Sequence, residues 1–346
     1  MNFQLLLLPF SIVYGIVVFV RNKFFDLGIL KENKFDVPVI GIGNITTGGT
    51  GKTPHVEYLV RLLSSYKNIA TLSRGYRRKT SGFLYVSENN TTEMVGDEPL
   101  QLKNKFKEIT VVVSEKRKDG IEKILKDNPQ TSVVLLDDAF QHRAVNPGLS
   151  ILLLDYSTIF KTDFLLPAGN LREPFSAKKR ADIIVVSKCP QTLQDNERNK
   201  IIERIYPDKK QNMFFSSVVY AIEIKSVFSS EKLALSSNLN TILVTGIADS
   251  KGIKAYIKTS AKLIKHIEFS DHHIFSDADI KKIVEIFSTI ANEIKIILTT
   301  EKDAMRLKDI EELRKLPIYY LPVEIKFNEK DKEEFNKMIL KYVGKN

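Results

Sequence analysis

VPVIGIGNITTGGTGKTPHVEYLV, residues 37–60, is the stretch on which the reading of this chain turns. Residues 37–44 form a short apolar run and read as a buried strand. A helix is expected from about Lys52 to Ser65. Between them lies a glycine-rich loop ending in Gly51, Lys52 and Thr53. The usual phosphate-binding pattern, G-x-x-x-x-G-K-[ST], asks for a first glycine where Thr46 stands. The chemistry does not depend on that glycine. Gly48, Gly49 and Gly51 let the backbone approach oxygens closely. Amides at a helix start, with the helix dipole, attract an anion. Lys52 brings a full charge to the β- and γ-phosphates, and Thr53 offers a hydroxyl to Mg²⁺. Pro54 sits early in the helix, where its missing N–H costs little. With Thr46, Thr47 and Thr50, the expected nucleotide cradle is 46–53. A glycine-rich turn with an incidental lysine is the plain alternative; strand, helix and GKT ending together argue against it.

Working outward, the apolar runs at 69–74, 109–115, 132–138, 150–155 and 181–187 read as further strands. Their near-continuous apolar character suits a parallel sheet covered on both faces. Residues 117–127 read as one covering helix. Residues 213–225 alternate more and read as a β-ribbon. A second strand–helix alternation follows, with strands at 241–247, 266–270, 293–300 and 317–325 and helices at 250–262, 279–292 and near 331–342. The expected fold is α/β: two α/β/α sandwich lobes, the first a P-loop NTPase-like core. The expected boundaries are an N-terminal helix over 1–30, a P-loop domain over 31–212, a ribbon over 213–236 and a second lobe over 237–346.

A phosphate loop usually has a carboxylate at the end of a neighbouring strand to hold Mg²⁺. VVLLDD ends in Asp137 and Asp138. An aspartate after a strand is also a common turn or helix cap. Guanine-specific proteins carry N-K-x-D after a later strand. Here Ser187 and Lys188 are followed by Pro190 where the aspartate belongs, so ATP is the expected nucleotide.

The chain has 346 residues, a formal charge of +10 and one cysteine, Cys189. Such a length allows one large or two ordinary domains, and no internal disulfide can form. The charge favours anionic partners. The basic clusters are short and no zinc-finger spacing or tryptophan occurs, so nucleic acid is not expected as a partner, nor is an obligate protein partner inferred. FQLLLLPFSIVYGIVVFV (3–20) is strongly apolar. As a helix it reaches roughly 27 Å against a hydrocarbon core of about 30 Å. A helix lying in one leaflet, with Arg21 and Lys23 at the headgroups, is favoured over a buried core helix.

Several stretches now converge: GNITTGGTGKTP, LSRGY, VGDEP, DDAFQHR, LLPAGNLREP, FSDHHIF and TTEKDA, in order between 43 and 304. The chain resembles the bacterial tetraacyldisaccharide 4'-kinase family of lipid A biosynthesis. The resemblance implies transfer of the γ-phosphoryl of ATP, with Mg²⁺, to the 4'-hydroxyl of an acylated glucosamine disaccharide 1-phosphate. It implies work at the cytoplasmic face of the bacterial inner membrane, two lobes joined by a ribbon, and a membrane-engaging N-terminal helix. It maps the catalytic base to Asp97 of VGDEP, expected in a loop, with His272 of SDHHIF orienting it and passing the proton onward. Lys52 joins these two as the third catalytic residue. The metal side is assigned to Thr53, Asp138, Asp137 and Glu98. Substrate contacts are assigned to Tyr76, Arg117, Arg172 and Glu173, the last accepting from sugar hydroxyls. Lys302 and Asp303 are expected on the nucleotide side or at a lobe contact. Ala139, Phe140 and Asn170 depart from the commoner family form and bear on loop conformation. The rival reading is a membrane-peripheral P-loop ATPase switch without a lipid acceptor, which leaves FSDHHIF and LREP without a role.

Overall fold

The computed structural model describes residues 3–290 and 294–344. The expected end of the helix at 279–292 and start of the strand at 293–300 fall partly outside them, as do residues 1–2 and 345–346 of the outermost domains. The elements are α1 (Phe3–Asp26), β1 (Val39–Asn44), α2 (Lys52–Leu63), β2 (Ile69–Ser73), β3 (Leu84–Tyr85), α3 (Thr92–Val95), α4 (Asp97–Lys105), β4 (Thr110–Val113), α5 (Arg117–Asp127), β5 (Val133–Asp137), β6 (Leu149–Asp155), β7 (Ile183–Ser187), α6 (Asp195–Ile205) and β8 (Asn212–Tyr220). They continue with β9 (Glu223–Ser226), β10 (Lys232–Ala234), β11 (Asn240–Thr245), α7 (Lys251–Ser260), β12 (Lys262–Glu268), α8 (Asp277–Thr289), β13 (Lys295–Thr300), α9 (Glu301–Leu307), β14 (Ile318–Leu321), β15 (Val323–Phe327) and α10 (Glu329–Val343).

Two sheets result. The first has the order β15-β8-β7-β6-β1-β5-β2-β4-β3, the second β10-β9-β14-β13-β11-β12. From β4 to β8 the first sheet is parallel, and β1, β5 and β7 are buried along their whole length. That is why these strands read as unbroken apolar runs. In the second sheet β12, β11, β13 and β14 are parallel, with β9 and β10 antiparallel at one edge. Side chains of β1 point alternately to two cores, Ile40 and Ile42 into one and Val39 into the other.

Two stretches that read as single elements divide between the sheets. Residues 213–225 split at Ala221 into β8 of the first sheet and β9 of the second. Residues 317–325 split at Pro322 into β14 and β15. Proline has no N–H to continue a ladder, so a strand breaks there at little cost. The outgoing and returning chains cross side by side, with Ala221 N donating to Pro322 O at 3.0 Å. β15 pairs antiparallel with β8 beyond the crossing. The stretch expected to close the second lobe therefore belongs to the first.

α10 completes that return. Phe335, Ile339 and Val343 are buried in the first lobe's core. Phe335 stacks on Phe327 with centroids 4.8 Å apart and meets Phe214 edge-on at 5.4 Å. The Tyr342 hydroxyl donates to Val39 O at 3.1 Å, at the far end of β1 from the glycine loop.

α1 packs in an unusual sense. Ser11, Tyr14, Val18, Arg21 and Asn22 share one face at helical spacing and turn toward the protein. Ser11 Oγ donates to Leu165 O at 2.8 Å and accepts from Ala168 N at 2.9 Å. The Tyr14 hydroxyl donates to Arg172 O at 2.9 Å, and Arg21 Nη2 pairs with Glu173 Oε1 at 3.0 Å. Phe10, Ile12, Val13, Ile16, Val17 and Phe19 are all exposed on the outside. Arg21 is thus tied to the protein by Glu173 while its side chain stays 39% exposed. The helix is long and apolar enough to cross a membrane by length and composition.

Replacing Phe335 with alanine removes the ring that fastens α10 to the first sheet, far in sequence from the glycine loop. Thermal or denaturant unfolding should show a loss of about 3–5 kcal/mol. Wild-type stability in that variant would mean that α10 is not part of the core.

Candidate active site

The parallel sheet decides where the chemistry gathers. In open α/β sheets, ligands bind outside the carboxyl ends of the strands. Those of β1, β2, β4 and β5 lead into the glycine loop, Arg74–Tyr76, Arg117 and Asp137–Asp138. Ile42 faces Asp137 across the β1–β5 ladder, which sets the aspartates beside the loop.

The loop is held from below and from the side. Asn44 is buried and its Nδ2 donates to Thr50 Oγ1 at 3.0 Å. The Ser187 hydroxyl donates to Thr50 O at 2.9 Å. Thr47 N donates to Asn170 O at 2.7 Å, and Thr46 bridges to Leu171. Asn170, where the sequence departs from the commoner form, is itself tied to Asp163. Gly48 (φ 97°) and Gly51 (φ 82°) take left-handed backbone, and Gly51 precedes α2. At Gly43 a Cβ would stand 2.7 Å from Phe140 Cβ. The phenylalanine at 140 therefore seals the loop's underside.

Lys52 Nζ lies 3.5 Å from both Asn44 Oδ1 and Asp138 Oδ1. Asp138 sits in left-handed backbone (φ 51°) and also receives Arg172 Nη1 at 2.9 Å. Burial alone would raise the Asp138 carboxyl; the charges of Lys52 and Arg172 outweigh it and hold it below the ordinary range. Asp137 is the reverse. Burial, with the Glu98 charge, lifts its carboxyl to about 7 against the pull of Lys52. Its Oδ1 is buried without a hydrogen-bond partner. A buried carboxylate oxygen of this kind is costly unless something cationic meets it. Asp137, Asp138 and the hydroxyl of Thr53, the residue after Lys52, are hard oxygen donors of the type Mg²⁺ takes, so their chemistry fits a magnesium site. Glu98, also expected on the metal side, is paired with Lys302 Nζ at 3.0 Å, and its charge reaches Asp137.

Asp97 is the first residue of α4, not part of a loop, and it is buried. Gly96 before it has φ 90°, and a Cβ there would stand 3.2 Å from Tyr76 O. The second lobe closes over it. His272 Nδ1 lies 3.0 Å from Asp97 Oδ2, and Arg306 Nε lies 3.1 Å from the same oxygen. His272 is left-handed (φ 55°) and its ring meets Tyr76 edge-on at 4.8 Å. Burial alone would raise the Asp97 carboxyl; the His272 hydrogen bond, Lys302 and Arg306 overcome this and hold it at about 2.

Arg117 is buried at the start of α5, with Nη1 on Ser114 O. Its Nε and Nη2 have no partner. Burial pulls its pKa down to about 10, against the aspartates at 137 and 138. Two free guanidinium donors suit an anionic ligand. Tyr76 is exposed nearby. Glu173 is a correction. Its carboxylate is fully buried between Arg21 and Arg180, so it ties α1 to the loop and cannot reach a sugar hydroxyl. Asp303 is also buried and internal, accepting from Gly246 N and Thr300 Oγ1.

Asn44 and Arg306 went unread in the sequence. Asn44 has a local signal, as the polar residue ending a buried strand before the loop. Arg306 has none, because only the fold sets it on Asp97.

A family described as Tetraacyldisaccharide-1-P 4'-kinase (LpxK) matches residues 3–344. The chain belongs to the tetraacyldisaccharide 4'-kinase family. It is 45% identical to the tetraacyldisaccharide 4'-kinase of Bacteroides thetaiotaomicron, over 98% of this chain and 93% of that protein. It is 43% identical to that of Flavobacterium johnsoniae, over 99% and 97%. Among solved structures it is similar to LpxK from Aquifex aeolicus in complex with ATP. That likeness has a TM-score of 0.77 and 32% identity over 98% of this chain and 99% of that one. Both lobes and α1 fall within these matches, so the kinase family accounts for the whole described architecture.

The raised Asp137 gives a signed prediction. Its carboxyl loses a proton near 3.8 when unfolded but near 7 when folded, so folding takes up a proton between these values. Stability of the metal-free protein then falls as pH rises through that window. Asp137→Asn should melt higher than wild type without metal. The gain should be small near pH 4 and complete above pH 7. A pH-independent difference in calorimetry rejects the assignment.

Proposed function

We propose that this chain transfers the γ-phosphoryl of ATP to the 4'-hydroxyl of a tetraacylated glucosamine disaccharide 1-phosphate, giving the 4'-phosphorylated lipid and ADP. Membership of the kinase family supports the reaction. The observation that carries it is Asp97: a buried carboxylate beside the phosphate loop, held by a histidine of the other lobe. The switch-ATPase reading assigns no acceptor to be aligned by this pair, which two lobes contribute.

The loop amides of 46–53 and Lys52 take the phosphate chain, where charge develops as the γ-phosphoryl moves. The 4'-oxygen forms a bond to the γ-phosphorus while the bond to the β,γ-bridging oxygen breaks and ADP leaves with its electrons. The hydroxyl proton goes to the Asp97 carboxylate. Asp97 is a weak base at a pKa of about 2, which suits a loose transition state in which the hydroxyl becomes strongly acidic only late. Thr53, Asp137 and Asp138 are the residues that would hold Mg²⁺, whose charge offsets that of the β- and γ-oxygens. Arg117, with two unpartnered donors, takes phosphate oxygens, and Tyr76 packs at the mouth beside the acceptor. Because His272 comes from the second lobe, the pair is complete only when the lobes are together.

The lipid arrives along α1. Its outer face is apolar and its polar stripe is spent on the protein, an inverted pattern that suits acyl chains outside. The stripe holds the irregular segment 165–173 along the helix. A spanning α1 would drag that backbone into hydrocarbon, where lipid-exposed loops do not occur. α1 therefore lies in the interface, with the catalytic residues at the cytoplasmic face of the inner membrane. Tyr14 on Arg172 O links the helix directly to the site.

The test is radiolabelled ATP with purified tetraacyldisaccharide 1-phosphate and Mg²⁺. Label should appear on the lipid, and ATP consumption should require it. Asp97→Ala should cut turnover by about 10²–10⁴-fold with ATP binding retained, whereas Lys52→Ala should weaken both. ATP hydrolysis indifferent to the lipid would favour the switch ATPase. Removing residues 1–22 should lower recovery with vesicles, and equal partition of the shortened chain refutes the anchoring role.

A further inference from the structure

Lys302 ends in a place the reaction does not obviously need. It is the second residue of α9, at the carboxyl end of β13, and its side chain is largely enclosed. Nζ lies 2.8 Å from His272 Nε2, 3.0 Å from Glu98 Oε1 and 4.0 Å from Asp271 Oδ1. Burial alone would strip its charge more readily; Glu98, Asp97 and Asp271 outweigh this and raise its pKa. It is an ammonium group.

An ammonium group has three hydrogens and no lone pair, so it can only donate. His272 Nε2 must then accept. An imidazole accepting at Nε2 carries its hydrogen at Nδ1, and Nδ1 is the atom 3.0 Å from Asp97 Oδ2. The other charged groups at this ring do not alter the result. Asp271 Oδ2 stands 3.8 Å from Nε2, beyond hydrogen-bond reach. Arg77 donates to the backbone oxygens of Asp271 and His272, not to the ring, and Tyr76 offers a ring edge contact.

We infer that Lys302 is a positioning residue that fixes His272 as the neutral Nδ1–H tautomer, so that His272 orients the base Asp97 but does not relieve it of its proton. Both ring nitrogens are committed, Nδ1 to donating and Nε2 to accepting from Lys302. The hydroxyl proton taken by Asp97 stays there until the lobes part and the His272–Asp97 contact opens. This differs from the sequence-based expectation that His272 passes the proton onward. It rests on the proposed kinase reaction for its consequence in turnover, but not for the state of the ring.

The experiment uses the full chain labelled with ¹⁵N at histidine, with Mg²⁺ and a non-hydrolysable ATP analogue. Loss of one ring signal in His272→Gln assigns the residue. In wild type, Nε2 should give the signal of a bare nitrogen and Nδ1 that of a protonated one. In Lys302→Met, which keeps the chain length and loses the donor, Nε2 should become protonated. Turnover on the lipid should fall about tenfold or more while the KM for ATP stays near wild type. Lys302→Arg, which also only donates, should restore the ring signal and part of the rate. A protonated Nε2 in wild type overturns the inference, and so does a ring signal that the methionine leaves unchanged. If wild type never phosphorylates the lipid, the kinase reading fails separately, and the ring signals still decide the role of Lys302.

Discussion

Asp97 is a carboxylate buried at the seam between two lobes, and its charge is tolerated because both lobes neutralise it. α4 brings the carboxylate and the Glu98 amide that hydrogen-bonds Oδ1 at 2.9 Å. The second lobe brings His272 and Arg306 to Oδ2. Neither lobe alone satisfies the group, and a buried charge that loses one partner costs several kcal/mol. The same logic repeats along the seam. Lys105 of the first lobe joins its own Glu57 to Glu301 of the second at 2.7 and 2.8 Å. Gln101 donates to Glu57 at 2.9 Å beside it. Compensated charge thus runs along the junction of the two lobes.

That arrangement leaves the phosphate side under opposite strain. Asp137 has a buried oxygen with no partner, and Arg117 has two buried donors with none. One is a site short of a cation and the other a site short of an anion. Under the proposed reaction, a nucleotide with its metal and a phosphorylated lipid would supply both. The site is held in the form its ligands complete, at some expense to the empty protein's stability.

α1 answers a different demand. Under the proposed reaction, a catalytic centre built from charges must meet an oily substrate without drawing the charges into a membrane. The helix presents its apolar face outward and spends its polar stripe on the 165–173 segment, which also holds the glycine loop through Asn170 and Leu171. One loop thus touches both the apolar helix and the phosphate cradle.

Much of the fold was legible in the chain because its signals are local. Buried parallel strands show as unbroken apolar runs, and the GKT loop keeps its glycines whatever surrounds it. The strands at 132–138 and 150–155 and the helix after Lys52 are of this kind. Asp97 and His272 could be named through family likeness, since nothing in VGDEP or SDHHIF alone marks two segments far apart as neighbours. Tertiary structure alone decided the rest. Pro322 parts two strands into different sheets, because the edge of β8 lies free in the first lobe and accepts β15. Glu173 is buried against arginines at 21 and 180, which a sequence written along a line cannot bring together. Lys302 reaches the histidine because α9 starts where β13 ends. Hydrogen-bond geometry over a few ångströms sets such roles, and it depends on how whole elements pack, not on which residue comes next.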